Sequence, residues 1–433
     1  MDLGYQRGAL LPLLCCGLCL AAWSQAKPAP PPPAAPSGPA ITLAQALQLA
    51  EQHSPALAAV RENIPQAQAQ QVTAGIRPNP VLAWDALFVP VFNPSQFTNT
   101  YLDNTTEFDA SVGYTIERGH KRQARLRAAR DITAVVRAQT RDSLRGLDFT
   151  VAQVYLSALL AKSSLQFAQQ DLASWQNTVQ ISEARYQAGA ISLADLDAIK
   201  LQNLSFQTTV SSDQLALQQA RTQLQQQIGI GVLPTNFQLA GTLQFKPVKG
   251  NLDDMKLAAL QDRPDLAAAR LGVTAARSQH TLALANGKRN LTTTAQYTHV
   301  AATNNIGFLF NIEIPVFDRN QGEIARTAAA TTQAQDVERQ TNDLVLSDVA
   351  TAFAAVQQGS KVVNLYTSGY RQQAKQALDI RQYAYARGAS SLLDLLDAER
   401  TYRSTELGYR QALATYMLAV EQLQEAVGTR SLP

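Results

Sequence analysis

The stretch of sequence that decides the fold occurs twice. Tyr186-Gln-Ala-Gly-Ala-Ile-Ser-Leu-Ala-Asp-Leu196 recurs 199 residues later as Tyr385-Ala-Arg-Gly-Ala-Ser-Ser-Leu-Leu-Asp-Leu395. Nearer the start of each half, Ser-Pro55-Ala-Leu-Ala-Ala is echoed by Arg-Pro264-Asp-Leu-Ala-Ala. A repeat of this length indicates that one structural unit was duplicated in tandem. We assign the first repeat to residues 41–240 and the second to residues 241–430.

Long helices precede both copies of this motif, which we call the tips (residues 186–196 and 385–395). Segments 121–186 and 322–385 contain no proline, so each is predicted to form one helix of roughly 65 residues, about 95–100 Å long. Apolar residues repeat with gaps of three and four, a heptad period that predicts left-handed supercoiling. A compact domain needs no helix this long, so we expect coiled-coil hairpins that turn at the tips.

Between the helices, the period of the sequence changes to two. Strands are predicted near 80–92 and 107–117 in the first repeat, and near 291–301 and 306–317 in the second. Each has an apolar and a polar face and about ten residues, which suits an outer-membrane barrel strand but also a soluble amphipathic hairpin. Four strands cannot close a barrel alone, and lipid does not tolerate open strand edges. Membrane strands would therefore require several protomers to share one barrel.

The N-terminus predicts export from the cytoplasm. Residues 1–26 have the charged, apolar and small-residue regions of a secretory signal peptide, and residues 27–40 form a Pro/Ala-rich linker. All three cysteines, Cys15, Cys16 and Cys19, lie within the signal peptide. None follows the small residue that lipidation would require, although lipidation remains an alternative.

Composition excludes several classes of protein. Charged residues make up 16% of the 433 residues, below the usual figure of about 25%, and the mean hydropathy is −0.14. These values exclude a disordered protein and a multi-span helical transporter. The net charge of +3 is too small to indicate a nucleic-acid partner. No sequence pattern indicates an enzyme or a cofactor site, and the four histidines lack the spacing of metal ligands.

The order of these features resembles the TolC-like outer-membrane efflux factor family over residues 40–430. Ile314-Pro-Val-Phe-Asp-Arg-Asn-Gln-Gly322 looks like the family's corner between strand and helix, and Glu117-Arg-Gly-His-Lys-Arg122 looks like its counterpart in the first repeat. Both are most similar to the heavy-metal (cobalt–zinc–cadmium) branch. The tips also resemble the family's periplasmic tip loops.

The resemblance implies a mostly α-helical homotrimer in the outer membrane. Four strands from each protomer would complete a twelve-stranded β-barrel, and the long helices would form a hollow α-barrel in the periplasm. The tips would meet a periplasmic adaptor (membrane fusion) protein, behind which lies an inner-membrane pump of the RND type. The channel would conduct passively, with no catalytic, cofactor or metal residues.

The resemblance also assigns roles at the tips. Asp394 and Asp397 match a ring of carboxylates that narrows the periplasmic end of the channel, and Asp195 is the first-repeat equivalent of Asp394. Carboxylate rings favour cations over anions. An acidic residue in the first turn of a helix is the alternative interpretation for Asp394 and Asp195.

Five further tip residues have candidate roles. Gly189 and Gly388 would adopt positive φ in turns that dock the adaptor. Tyr186 and Tyr385 would either flank that contact or close a helix seam, and Arg387 is a candidate latch between helices.

The cargo is the least determined property. Heavy-metal cations are the first expectation, with organic compounds, drugs or type I protein secretion as alternatives. A soluble periplasmic coiled-coil adaptor is the alternative of another class, although the twofold repeat with two tips disfavours it.

Overall fold

The protein is largely helical. The computed structural model describes residues 38–432, so the predicted signal peptide, its cysteines and most of the predicted linker lie outside the described residues. In chain order the elements are β1 (Ala40–Ile41), α1 (Leu43–His53), α2 (Pro55–Arg61), α3 (Asn63–Gly75), β2 (Val81–Leu87), α4 (Asn99–Asn104), β3 (Glu107–Ile116), α5 (Lys121–Gln187), α6 (Leu193–Ile228), β4 (Gln238–Leu239), α7 (Leu252–Asp262), α8 (Pro264–Asn286), β5 (Leu291–Val300), β6 (Thr303–Ile312), α9 (Gln321–Leu365), α10 (Arg371–Ala386) and α11 (Leu392–Val427).

The helices form a wall in which short helices are stacked end to end beside longer ones. Next to the strands the wall runs α3–α5–α8–α9, and towards the tips α6 and α11 pack against α5 and α9. The end of α11 meets the start of α8 at Gly428, where a Cβ would lie 3.2 Å from the backbone of Arg263. Gly428 has φ +86°, so both the close approach and the left-handed backbone favour glycine there.

One antiparallel sheet closes the end of the wall opposite the tips, in the order β2–β3–β5–β6. Its register brings Trp84, Ala110, Tyr297 and Ile306 into one row, and the same face carries Phe308 and Phe310, which are 71% and 68% exposed. The opposite face is polar. β2 and β6 each have one edge without a strand partner in the described chain.

Two of the predicted strands have different boundaries in the structure. The prediction for residues 306–317 was wrong at both ends, because β6 spans Thr303–Ile312 and Pro315 lies in the following corner. Alternation continues through Ile314 and Val316, which concealed the end of the strand. β2 ends at Leu87, since Phe88 turns to φ +59°, so residues 88–92 are not strand.

The prediction of one unbroken helix over residues 322–385 was also wrong. A π-helical turn at Tyr366–Tyr370 separates α9 from α10, and inside it Gly369 has φ +123°. The partner helix α11 carries Gly408 at this level, where a side chain would collide with the Tyr366 hydroxyl. After the break, the Arg371 guanidinium lies 3.8 Å from the ring centre of Tyr409 and pairs with buried Glu406 at 2.9 Å.

A small module lies against one face of the wall, midway along it. We define this lateral module as residues 38–53 and 229–250. It holds the parallel pair β1–β4, in which Ala40 faces Gln238, so the predicted linker, residues 27–40, overlaps the strand by one residue. The Tyr155 hydroxyl of α5 donates to the carbonyls of Ile41 at 2.8 Å and Ala240 at 2.5 Å.

A buried cluster joins the two repeats near the tips. Its members are Trp175, Ile199 and Phe206 from the first repeat and Leu378, Tyr385 and Leu395 from the second. The Trp175 indole donates to the Ile199 carbonyl at 3.2 Å. The tips of the two repeats are therefore held side by side by one core.

Candidate functional site

Both tips are built from the same turn. The Gly189 amide donates to the Tyr186 carbonyl at 2.9 Å and the Ala190 amide to the Arg185 carbonyl at 2.8 Å, and the second tip repeats this pattern around Gly388. These are the paired bonds of a Schellman helix end, which requires a left-handed residue. Gly189 and Gly388 supply it with φ +72° and +77°, as the sequence predicted.

The aspartates of both tips begin the helices that follow. The Asp394 amide donates to the Ser391 hydroxyl at 3.2 Å, and the Asp394 carboxylate accepts from the Ser391 amide at 3.3 Å. Ser192 and Asp195 form the same capping box. The first-turn interpretation of Asp394 and Asp195 is therefore confirmed. It does not exclude an aperture role, because both side chains remain partly exposed.

The surroundings of Asp394 favour the charged form of its carboxylate. Hydrogen bonds from Ser391 lower its pKa below the ordinary value, and the guanidinium of Arg381, 3.7 Å away, adds to this effect. Asp397 lies one turn further along α11, is 63% exposed and pairs with Arg400 at 2.8 Å. Two carboxylates of the second tip thus reach the surface of the protomer within four residues.

The two tip tyrosines have different environments. Tyr186 is 40% exposed, whereas Tyr385 is 4% exposed. The Tyr385 hydroxyl lies 3.3 Å from the hydroxyl of Ser182, so Tyr385 closes the seam between the repeats. Of the two tyrosines, Tyr186 alone is exposed at the surface of the protomer. Arg387 is exposed, and its guanidinium carbon lies 3.5 Å from the ring centre of Tyr383 on its own helix.

Arg185, rather than Arg387, joins the two repeats within the protomer. Its guanidinium donates to the Tyr385 carbonyl at 2.6 Å and lies 4.7 Å from the ring centre of Tyr385. The sequence shows Arg185 only as a cation near a helix end, where the helix dipole already accounts for it.

A buried ionic cluster lies behind the tips, and it was not predicted from the sequence. Asp171 on α5 and Glu399 on α11 are 6% and 4% exposed, and Arg403 lies 2.8 Å from the Asp171 carboxylate. Burial raises the pKa of both carboxyl groups, that of Glu399 to about 8. The available signal was register: Asp171 shares a seam with Trp175, Thr178 and Ser182, where a charge is unusual.

No cluster of metal ligands is found among residues 38–432. Within the same residues, no helix is both long and apolar enough to cross a membrane. The candidate site is the surface formed by the two tips, where Asp394, Asp397 and Tyr186 are exposed or partly exposed.

Comparison with known proteins decides the family. The sequence pattern of the outer membrane efflux protein family matches residues 46–230 and 257–429, one match for each repeat. The chain belongs to the outer membrane efflux protein family. It is accordingly an outer-membrane protein, as its sequence predicted.

The relatives cover nearly the whole chain. It is 27% identical to the pyoverdine export outer membrane protein OpmQ of Pseudomonas putida, over 89% of this chain and 85% of OpmQ. It is 25% identical to the cobalt-zinc-cadmium resistance protein CzcC of Cupriavidus metallidurans, over 90% of each chain.

Solved structures agree on the fold. The structure of CusC superposes with a TM-score of 0.73 and 20% identity, over 89% of this chain and 92% of CusC. This likeness confirms that the protomer has the fold of an outer-membrane efflux channel.

Proposed function

We propose that the protein is the outer-membrane exit duct of a tripartite efflux pump and that it conducts its cargo passively. The carrying observation is the four-stranded sheet with one exposed aromatic face and two open edges, set at the end of a long helical wall. A sheet with open edges cannot lie in lipid, so β2 of one protomer has to pair with β6 of a neighbour.

Three protomers satisfy this requirement. Three four-stranded sheets give twelve strands, within the range of outer-membrane barrels, and the α3–α5–α8–α9 wall repeated three times continues the barrel into the periplasm. The aromatic face turns to lipid and the polar face, with Asp109, Gln296 and Asn305, turns to the lumen.

The tips form the periplasmic entrance in this proposal. Asp394 and Asp397 from three protomers form a ring of six carboxylates, with Asp195 beside it, and such a ring concentrates cations. The turns at Gly189 and Gly388, with Tyr186, dock a periplasmic adaptor, and an inner-membrane RND pump supplies the energy. Arg387 remains a candidate latch between neighbouring protomers, since its guanidinium is exposed and stacks on Tyr383 of its own protomer.

Heavy-metal cations are the proposed cargo. The relative CzcC is named for cobalt, zinc and cadmium resistance, and the corner at 314–322 resembles that branch. An organic cargo is the second candidate, because OpmQ is named for pyoverdine export and covers the chain equally well. A host without this gene should accumulate zinc, cobalt or cadmium during metal exposure, measured by elemental analysis. Unchanged metal content with retention of an organic compound would favour the second candidate.

The aperture is tested by ion selectivity in planar bilayers. The wild-type protein should form ohmic, cation-selective pores, and Asp394→Asn/Asp397→Asn should shift the reversal potential in a salt gradient towards zero. Asp336→Asn/Asp343→Asn on α9 is the matched control, because it removes the same charge far from the tips. Equal shifts in both variants would remove the aperture assignment, and the absence of pores from the wild-type protein would contradict the duct.

A further inference from the structure

A line of unpaired arginines runs along α5 between the sheet and the lateral module. Arg127, Arg130, Arg137 and Arg141 are exposed; we call them the arginine stripe. None of the four has an ion-pair or hydrogen-bond partner within residues 38–432. Their spacing of three, seven and four residues keeps them on one helix face over about 21 Å.

The stripe belongs to the first repeat alone. Residues 121–145 contain eight basic and two acidic side chains, whereas the net charge of the whole chain is only +3. His120 and Asn320 each adopt a left-handed backbone conformation immediately before α5 and α9, respectively. Aligning the repeats on these two residues, at an offset of 200, places the stripe opposite uncharged residues: Thr327, Ala330, Val337 and Thr341. Building the wall therefore does not require these charges.

α5 is flanked on both sides by helices of its own protomer, α3 and α8, so a neighbouring protomer cannot pack against either side of it. On one side Arg125 donates to the Ala74 carbonyl of α3 at 2.9 Å, and on the other Asp131 accepts a hydrogen bond from Ser278 of α8. α5 is thus an inner member of the wall. The stripe faces either the lumen or the surroundings of the wall.

The lateral module distinguishes these two faces. Arg127 and Arg141 share their heptad register with Tyr155 and Lys162, whose side chains donate to the module carbonyls of Ile41, Ala240 and Leu239. The stripe is therefore the uncovered continuation of the face on which the module lies. This step rests on the proposed function: three modules inside the cylinder would obstruct a duct, so the module and the stripe face outwards, into the periplasm.

The length of the stripe indicates its partner. Arg127 and Arg141 lie about 9 and 30 Å along the axis from the start of α5 at Lys121. Salt screens the field of a charged lipid surface beyond about 8 Å at physiological ionic strength. Lipid headgroups could therefore attract only the end of the stripe at Arg127, nearest the sheet. We propose that the stripe binds a carboxylate-bearing polymer of the cell wall that runs along the duct. Arginine suits this role because its guanidinium pairs carboxylates in a bidentate geometry.

Co-sedimentation with purified peptidoglycan sacculi tests the proposal. Detergent-solubilised full-length protein should sediment with sacculi, and binding should weaken with salt and after amidation of the sacculus carboxylates. Arg137→Gln/Arg141→Gln, at the end far from the membrane, should weaken binding roughly 2- to 30-fold. Arg326→Gln/Arg339→Gln is the matched control, because these exposed arginines of α9 pair with Glu323 and Asp336 and should not be needed.

The outcomes separate this proposal from its rivals. Equal sedimentation of all variants, or binding that survives amidation, would overturn it. The proposal would also be overturned if the protein bound vesicles of phosphatidylglycerol in place of sacculi and only Arg127→Gln/Arg130→Gln weakened that binding. In bilayers Arg137→Gln/Arg141→Gln should leave ion selectivity unchanged, and a change would place the stripe in the lumen. Binding to sacculi does not depend on whether the protein conducts ions. The duct proposal is therefore tested separately, by whether the wild-type protein forms pores in bilayers.

Discussion

Replacing Glu399 by glutamine should stabilise the protein in alkaline solution and leave it unchanged in acid. Glu399 is buried against Asp171, and the other charged groups that face the pair are Arg403 on α11, Lys375 on α10 and, beside Arg403, Asp213 on α6. Burial, followed by the contact with Asp171, raises the pKa of Glu399 to about 8. Near neutral pH the Glu399 carboxyl group is therefore mostly protonated.

The direction of the pH dependence of stability follows from the difference between the folded and unfolded pKa values. The folded pKa of Glu399 lies above its ordinary value of 4.5, so the protonated carboxyl group favours the folded state. That contribution is complete below about pH 4.5 and is lost as the pH rises through about 8. At about 1.4 kcal/mol per pKa unit, the loss for this buried group is on the order of 5 kcal/mol. Glutamine keeps the neutral shape and cannot ionise.

Trp175, which lies in the core behind the tips, reports the unfolding of this region. Its fluorescence in a Trp84→Phe background should give a wild-type unfolding midpoint that falls between about pH 5 and pH 8.5. The unfolding midpoint of Glu399→Gln should fall less over this range than that of the wild type, because Asp171 keeps a pKa raised by burial whereas residue 399 no longer titrates. The infrared band of protonated carboxyl groups should likewise change less with pH in the variant. Glu338→Gln, on the surface of α9, is the control. A wild-type midpoint that rises with pH, or a Glu399→Gln midpoint that falls as steeply as that of the wild type, would refute the protonation of Glu399 near neutral pH.

Three further predictions concern the tips. Arg185→Ala removes a charged hydrogen bond and the stacking on Tyr385 and should cost about 2 kcal/mol, with faster proteolysis at the tips; Arg387→Ala should cost less than about 1 kcal/mol, and equal losses would contradict the link. Ser391→Ala should cost about 0.5–2 kcal/mol in denaturant unfolding, and Ser192→Ala a similar amount because the capping boxes match. Gly388→Ala should cost roughly 1–2 kcal/mol through its positive φ, and a neutral result in the same assay would show that the turn relaxes.

The sequence predicted the tips well because their determinants are local. A glycine that ends one helix and a serine with an aspartate three residues later that begins the next are sufficient to specify the turn. The period of two likewise located β3. The aperture and docking roles of the tip residues came from the family resemblance, and they remain predictions.

The remaining features depend on contacts between distant residues. The helix break at Gly369 lies opposite Gly408 of the partner helix, where the missing side chain leaves room for Tyr366, and no local pattern shows this pairing. The β1–β4 pair joins two residues near the start of the described chain with two near the end of the first repeat, too short a signal to detect. Tyr186 and Tyr385 occupy equivalent positions, and only packing between the repeats buries one of them.

Electron microscopy of the purified full-length protein in detergent tests the central claim most directly. We predict threefold particles with one continuous axial channel, β2 paired with β6 of the next protomer, and the lateral modules outside the wall. Monomers, a different symmetry, or a channel filled by the lateral modules would contradict the account.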